Sequence, residues 1–407
     1  MKKEYFILLF VILITDCTFK NKGISVSKTM HISNNYPQEI SNSATIDISN
    51  NYPKKEITLQ NIAEIEYITL ETTDVFLLSE NCRISFISDK YIMIWENKGD
   101  IFIFHRSGKI FSHFNHKGLS NNEYLEISSI VFDETNEEVF VVDNFMASKY
   151  RVLVFSITGK YKRTLNYSEK FNLRAYNFDE TSLLVYDEKG LLDNSYHKKP
   201  YMIMSKKDGS LVDTFDIELS VRLPYNVNGQ ISYNGQVVPY NYIIYPRYLA
   251  INNGQDIVIS DISSDTIFIL TKDRFLLPII TFSNYIPSSP LIRLYTNILT
   301  ENFIVLEQRI FDFKAFDQYK GMPTLLLMYD FKLGLTSEVS FLNNDFPTDS
   351  WIPNRINISN KNAAASLIQL PKLFNAYRKN QLKGDLKKTV SNLNEEDNPI
   401  VMIVKFK

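Results

Sequence analysis

Short apolar runs separated by polar breaks recur along this chain about every 50 residues. One copy holds Tyr91-Ile-Met-Ile-Trp95, a polar break, Ile101-Phe-Ile-Phe104 and the turn Ser107-Gly108-Lys109. The next holds Val139-Phe-Val-Val142-Asp143, a break, Val152-Leu-Val-Phe155 and Thr158-Gly159-Lys160. The runs do not alternate polar with apolar, and they are rich in β-branched and aromatic residues. That pattern predicts strands covered on both faces. A third turn, Asp208-Gly209-Ser210, follows Tyr201-Met-Ile-Met204, so the glycines are spaced 51 and 50 residues apart. Glycine suits such turns because it accepts positive φ without strain. Weaker copies are Thr266-Ile-Phe-Ile-Leu270 before Lys272-Asp-Arg274, and Leu325-Leu-Leu-Met-Tyr329 before Lys332-Leu-Gly334. Further strands are predicted at 257–259, 278–282 and 303–306.

Five copies of an all-strand unit of this length predict an all-β fold, a β-propeller. The predicted strand at 65–70 and the run at 399–406 lie outside those copies. Sharing one sheet, they would complete a sixth blade and close the ring, leaving no open sheet edge at the seam. Seven blades is the competing count. The predicted propeller spans 57–407, with a Tyr-rich insertion at 218–250 and a helical insertion at 362–393. The helical reading rests on the spacing of Ala363, Leu367, Leu370, Leu373, Phe374 and Tyr377, and then of Leu386, Val390 and Leu393. Lys379, Lys383, Lys387 and Lys388 read as a solvated face, with an anionic lipid or polymer site as the alternative.

The N-terminus adds a compartment. Lys2 and Lys3 precede the apolar run 5–14, which is too short to span a bilayer and reads as a secretory signal. Cys17 follows in Ile14-Thr-Asp-Cys17, a lipobox-like setting apart from Asp16, so residues 1–17 are expected to end in lipidation at Cys17. Residues 18–56 read as a flexible tether containing a short duplication, Ile32-Ser-Asn-Asn-Tyr-Pro37 and Ile48-Ser-Asn-Asn-Tyr-Pro53. With Cys17 lipidated, Cys82 has no partner, and the fold depends on its apolar core.

Candidate chemistry is sparse. A net charge of −2 gives no ground for nucleic-acid binding. No nucleophile elbow, P-loop, dinucleotide fingerprint or paired Cys-x-x-Cys occurs. His113 and His116 flank a strand end, but zinc needs three or four convergent ligands, so they read as ordinary polar surface. The acidic run 133–138 lacks EF-hand spacing and reads as a solvated hairpin turn. The insertion carries Arg222, Tyr225, Tyr233, Tyr240, Tyr242, Arg247 and Tyr248. Flat rings with a hydrogen-bonding tip and planar guanidinium forks suit sugars or a protein surface; packing onto neighbouring blades is the alternative.

Several segments together resemble the six-bladed β-propeller lipoproteins of the Bacteroidetes envelope, relatives of the NHL and TolB-type propellers. They are Glu66-Tyr-Ile-Thr-Leu-Glu-Thr-Thr73, Ile103-Phe-His-Arg-Ser-Gly-Lys109, Glu123-Tyr124, Ser264-Asp-Thr-Ile-Phe268 and Asn398-Pro-Ile-Val-Met402. Before Glu-Tyr the family has a Gly-Pro-Gly-rich loop, where this chain has Gly118-Leu-Ser-Asn-Asn122. The resemblance implies fold and compartment and no particular activity. The resulting expectation is a lipid-anchored, periplasm-facing, non-catalytic binding module for a glycan or envelope protein. The alternative is a propeller lyase or hydrolase with calcium or zinc in its central channel. No cofactor is otherwise predicted.

Overall fold

The computed structural model describes residues 43–143, 151–167, 172–188, 199–215, 217, 219, 226–233, 235–243, 249–284, 291–311, 322–347, 350–351, 357–360 and 362–407. All belong to one compact unit, 42–407. The chain begins with β1 (Ala44–Asp47), β2 (Lys54–Thr58), the short helix α1 (Leu59–Ile62) and β3 (Ala63–Thr69). Blade 1 is β4 (Arg83–Ile87), β5 (Tyr91–Trp95), β6 (Asp100–His105) and β7 (Ile110–Asn115). Blade 2 is β8 (Ser129–Asp133), β9 (Glu138–Asp143), β10 (Arg151–Ser156) and β11 (Tyr161–Asn166). Blade 3 is β12 (Leu173–Asn177), β13 (Ser182–Asp187), β14 (Tyr201–Ser205) and β15 (Leu211–Thr214). A separate hairpin, β16 (Asn226–Tyr233) and β17 (Gln236–Ile243), occupies the insertion.

Blade 4 is β18 (Ala250–Asn253), β19 (Asp256–Ile259), β20 (Thr266–Leu270) and β21 (Leu276–Ser283). Blade 5 is β22 (Leu291–Leu299), β23 (Phe303–Phe311), β24 (Thr324–Asp330) and β25 (Leu335–Leu342), with β26 (Ser350–Trp351) beside it. After β27 (Asn357–Ile358) come β28 (Ala363–Ile368), α2 (Leu370–Arg378), α3 (Gly384–Val390) and β29 (Ile400–Phe406). Blade 6 is β28, β29 and β3. The chain termini therefore close the ring, with Met402 opposite Tyr67 in a seven-residue antiparallel register. The fold is a six-bladed β-propeller.

The core explains the missing alternation. Side chains of one strand point alternately to opposite faces. In β6, Ile101 and Ile103 join the apolar layer between blades 1 and 2, while Phe102 and Phe104 join the layer between blades 6 and 1. In β10, Leu153 and Phe155 face blade 1, and Val152 and Val154 face blade 3. Six such layers separate the blades. Each fully buried aliphatic side chain contributes about 1.5–3 kcal/mol.

The recurring glycines also set how blades meet. Gly108, Gly159 and Gly209 have φ of 84, 82 and 83°. A Cβ on Gly108 would lie 2.0 Å from Thr69 O, and one on Gly159 2.6 Å from Phe114 Cβ. On Gly209 it would lie 2.9 Å from Asn166 O. Each turn thus presses against the outer strand of the preceding blade, a second reason for glycine beyond its backbone freedom.

Two expectations are corrected. The tether does not extend to residue 56: β1 adds in parallel to β21 and β2 in parallel to β25. Single apolar residues, Ile46 and Ile57, are buried by these additions, too few to give a periodic signal. The helical reading of 362–393 holds only from Leu370. Residues 363–368 form β28, paired along its length with β29. Its alanines carry no strand signal in sequence; the neighbouring strand imposes one. The helices pack Leu373, Leu386 and Val390 beneath blade 6.

The segments on which the sequence resemblance rests have structural tasks. Asn398 is 1% exposed. Its Oδ1 accepts from Leu78 N, and its Nδ2 donates to Glu71 O and Phe76 O, which pins the 71–78 loop to blade 6. Tyr124 is fully buried and its hydroxyl donates to Gly99 O at 2.6 Å. Glu123 accepts from Ser120 N at 2.8 Å, which closes the 118–122 loop.

Candidate functional site

The first strands β4, β8, β12 and β18 approach one another in sequence around the axis. Between β4 and β18 lies β27, parallel to both, with Ile358 opposite Ile87 and Asn253. Blades 1 and 4 are thereby joined into one ten-stranded sheet across the middle of the ring. Ser359 N donates to Ile87 O at 2.9 Å and extends this contact.

Against this strand, where the first and second strands of blades 1 to 4 turn, lies a cavity of about 630 Å³. Its wall includes Ser85, Thr135, Asn136, Asn177, Asn252 and Ser359, together with Phe86, Lys90, Glu134 and Glu137. Phe86 meets Phe132 edge to face at 5.1 Å, an apolar floor between blades 1 and 2. Val131 and Ile358 extend the apolar part of the wall; most of the remaining side chains are amide, hydroxyl, carboxylate or, at Lys90, ammonium, groups that exchange hydrogen bonds with a polar ligand.

Polar links between blades hold this rim. Lys90 Nζ lies 3.8 Å from Glu134 Oε1, joining blades 1 and 2. Asn136 Nδ2 donates to Glu180 O at 2.8 Å, joining blades 2 and 3. Asn252 Nδ2 donates to Asn177 O at 2.8 Å, joining blades 3 and 4. Behind the rim, Lys206 Nζ reaches Asp133 Oδ2 at 2.5 Å with both side chains buried. Burial pushes the Lys206 ammonium below its ordinary pKa, against the pull of Asp133. Glu138 takes a bidentate contact from Arg163 at 2.7 Å. Burial alone would raise the Glu138 pKa; the pairs with Arg163 and Lys162 outweigh it and hold the carboxyl low. The run 133–138 is a hairpin turn whose tip, Thr135 to Glu137, is exposed as expected, while the acids at its two ends are buried, Asp133 being 1% and Glu138 5% exposed. Partners 25 to 73 residues away in sequence neutralise these two buried carboxylates. Glu137 takes a positive φ of 51°, a strained conformation for a residue with a side chain.

Of the residues singled out in the insertion, Arg222, Tyr225, Arg247 and Tyr248 lie outside the described residues. Tyr240 is half-buried and packs on the apolar layer between blades 3 and 4. Positions 233 and 242 belong to β16 and β17, in register with Gln236 and Val227. Cys17 and His197 also lie outside the described residues. His113 contacts Asp100 Oδ1 at 2.9 Å and stacks on Phe102. His116 contacts Gly159 O at 2.7 Å and stacks on Phe155. Both imidazoles thus serve blade packing. Burial, and then the Glu96 carboxylate, push the Cys82 thiol up to about 12, which leaves it inert at neutral pH.

Sequence reasoning missed another recurrence, an acid at or just past the end of the second strand in blades 1 to 3. Glu96 accepts from Ser79 N, Asp143 from Leu125 N and Asp187 from Asn172 N, each capturing the loop that enters its own blade. The signal was present as Trp95-Glu96, Val142-Asp143 and Tyr186-Asp187. Among the described residues no three His, Cys, Asp or Glu side chains converge as a metal site would need.

The chain is similar in fold to several solved structures. A candidate exported protein from Bacteroides fragilis NCTC 9343 aligns at 15% identity with a TM-score of 0.60, covering 87% of this chain and 99% of that one. The WD40 repeats of RRP9 align at 7% identity and a TM-score of 0.40, over 84% of this chain and 100% of that one. A candidate TolB from Agrobacterium tumefaciens aligns at 13% identity and 0.35, over 68% and 88%. The last two are too distant to argue from. No curated protein matches the chain. The model of one family, described as a domain of unknown function (DUF4934), matches residues 43–405, almost the whole propeller, and the chain belongs to that family.

Proposed function

We propose that this protein is a non-catalytic binding module of the cell envelope, tethered by lipid at Cys17, that takes a glycan in the cavity beside β27. The observation that carries the reading is the cavity itself: about 630 Å³, lined by amides, hydroxyls and carboxylates from blades 1 to 4 beside the apolar Phe86, Val131, Phe132 and Ile358. Sugars present dense hydroxyl groups that such a wall can pair with, and one apolar floor suits a ring face. The envelope assignment is supported by the charged start and short apolar run before Cys17. A likeness in fold to a candidate exported protein agrees with it. A periplasm-facing position, and kinship with the envelope lipoprotein propellers, belong to the same proposal.

The channel-enzyme reading has less support. Calcium or zinc on the axis would compete with β27, whose backbone bonds to both β4 and β18. An envelope protein remains the alternative ligand, with Arg222, Tyr225, Tyr233, Tyr240, Tyr242 and Arg247 as its surface.

The test is a glycan array with the full chain, comparing wild type with Thr135→Trp, which fills the cavity from an exposed turn. A loss of at least about tenfold, or 1.4 kcal/mol, at unchanged Tm supports the site. Unchanged glycan binding removes the cavity. Loss in Tyr225→Ala/Arg247→Ala alone transfers binding to the insertion. Mass spectrometry of the mature N-terminus checks the anchor, and an unmodified Cys17 ends it.

A further inference from the structure

Five strands ring the axis beside the cavity: β4, β8, β12 and β18 from blades 1 to 4, with β27 between the last and the first. Each adjacent pair is in direct contact. Phe86 of β4 meets Phe132 of β8, their ring centres 5.1 Å apart. Ser129 Oγ of β8 donates to Ala175 O of β12 at 3.2 Å. Asn252 Nδ2 of β18 donates to Asn177 O of β12 at 2.8 Å. Ile358 of β27 is in register with Asn253 of β18 and with Ile87 of β4. Even an eight-stranded ring has an interior that side chains fill, so five strands leave no passage for a sugar along the axis.

The fifth strand comes from blade 6. A Cβ on Gly159 would meet Phe114 of β7, and one on Gly209 would meet Asn166 of β11, the outer strands of blades 1 and 2. The equivalent contact of Gly108 falls on Thr69 of β3, so β3 is the outer strand of blade 6. Among the described residues, only β28 and β29 lie inside it in that blade. In blades 1 to 4 the first strand pairs antiparallel with the second. β27 comes just before β28 in the chain, in the place of such a first strand, but pairs in parallel with β4 and β18. Blade 6 thus lends its innermost strand to the axis.

The rim of the cavity is closed as well. Lys90 to Glu134 joins blades 1 and 2, Asn136 to Glu180 O joins blades 2 and 3, and Asn252 to Asn177 O joins blades 3 and 4. β27 joins blade 4 to blade 1, where Ser359 N donates to Ile87 O. These links run once round the wall. The cavity is therefore a cup that opens at the turns between first and second strands. The interior of a polymer needs an entrance and an exit, whereas an end needs one opening. A volume of about 630 Å³ suits one compact ligand.

We propose, resting on the glycan reading above, that the cavity takes the end of a sugar chain: the terminal residue sits against β27 and the chain leaves over the turns. The probe is an array of linear oligosaccharides in three forms: attached through the reducing end, attached through the non-reducing end, and carrying a bulky aryl group on whichever end is free. The full chain should bind in at least one orientation, and the aryl group on that free end should lower binding at least about tenfold. Ser359→Trp, which fills the cup beside β27 from an exposed position, should weaken the same free-ended glycan at least about tenfold at unchanged Tm. Equal binding of the blocked and free forms overturns the proposal and leaves the glycan reading standing. Unchanged affinity in Ser359→Trp also overturns it, by placing the terminal residue away from β27. Absence of binding to every form overturns the glycan reading itself, and this inference with it.

Discussion

Blades 1 to 3 and blades 4 to 5 solve the same packing problem differently. In the first group a turn glycine, φ 82–84°, is wedged against the outer strand of the preceding blade. In the second group that wedge is absent. Arg274 takes the position in blade 4 at φ 65°, and for Gly334 in blade 5 a Cβ would meet, among the described residues, only Tyr329 Oη of its own blade, at 3.8 Å. Instead, β1 and β2 run along the outer edges of blades 4 and 5. The regular blades are locked by their own repeat. The irregular ones are clamped by chain from before the ring. A propeller can thus lose its repeat signal locally and keep its closure, provided another segment covers the loosened edge.

The sharpest way to break this comparison is at the wedge. Gly108→Ala forces a Cβ to within 2.0 Å of Thr69 O at positive φ. It should cost at least about 3 kcal/mol in urea unfolding, against about 1 kcal/mol for Gly334→Ala. Equal costs would abolish the distinction. The clamp comes next: Ile46 is fully buried, and Ile46→Ala should cost about 2–4 kcal/mol. Exchange should rise at 280–283 and stay unchanged in blade 2.

Electrostatics give a smaller effect. Glu138 ties the 133–138 hairpin to Arg163 and Lys162 and has a lowered pKa in the fold. A lowered carboxylate pKa contributes stability above the unfolded value, about 4.5, and loses it as pH falls through the folded value. Stability should therefore fall below about pH 4.5, and Glu138→Gln should make that fall shallower. An unaltered acid limb would remove Glu138 from the account. The smallest change is Arg274→Gly, which restores the regular blades' residue. It relieves positive φ and gives up one exposed ion pair, for a net stabilisation of about 0.5 kcal/mol.

The candidate site was hardly legible in sequence. Asn136, Asn177 and Asn252 come from three blades, and no spacing predicts that Asn252 will donate to Asn177 O. Of the insertion residues that were legible, Tyr240 packs on the blades. The strand β27 was invisible because two residues, Asn357 and Ile358, carry no period. Asp133 illustrates the same limit. Its run reads as surface, yet Lys206 from the next blade lets it be buried.

The sequence by itself determined the propeller, because strands buried on both faces need unbroken apolar runs and each tight turn needs a backbone that only glycine adopts freely. It also pointed to the closing pair, since the two apolar runs at 65–70 and 399–406 lie outside the five repeats, and the structure pairs them. Tertiary structure alone decided that β27 crosses the axis, that residues 44–58 clamp blades 4 and 5, and that a polar cavity forms between blades 1 and 4. These depend on single side chains and backbone groups meeting across long separations. Local periodicity records which face of a strand is buried, and carries no record of what buries it.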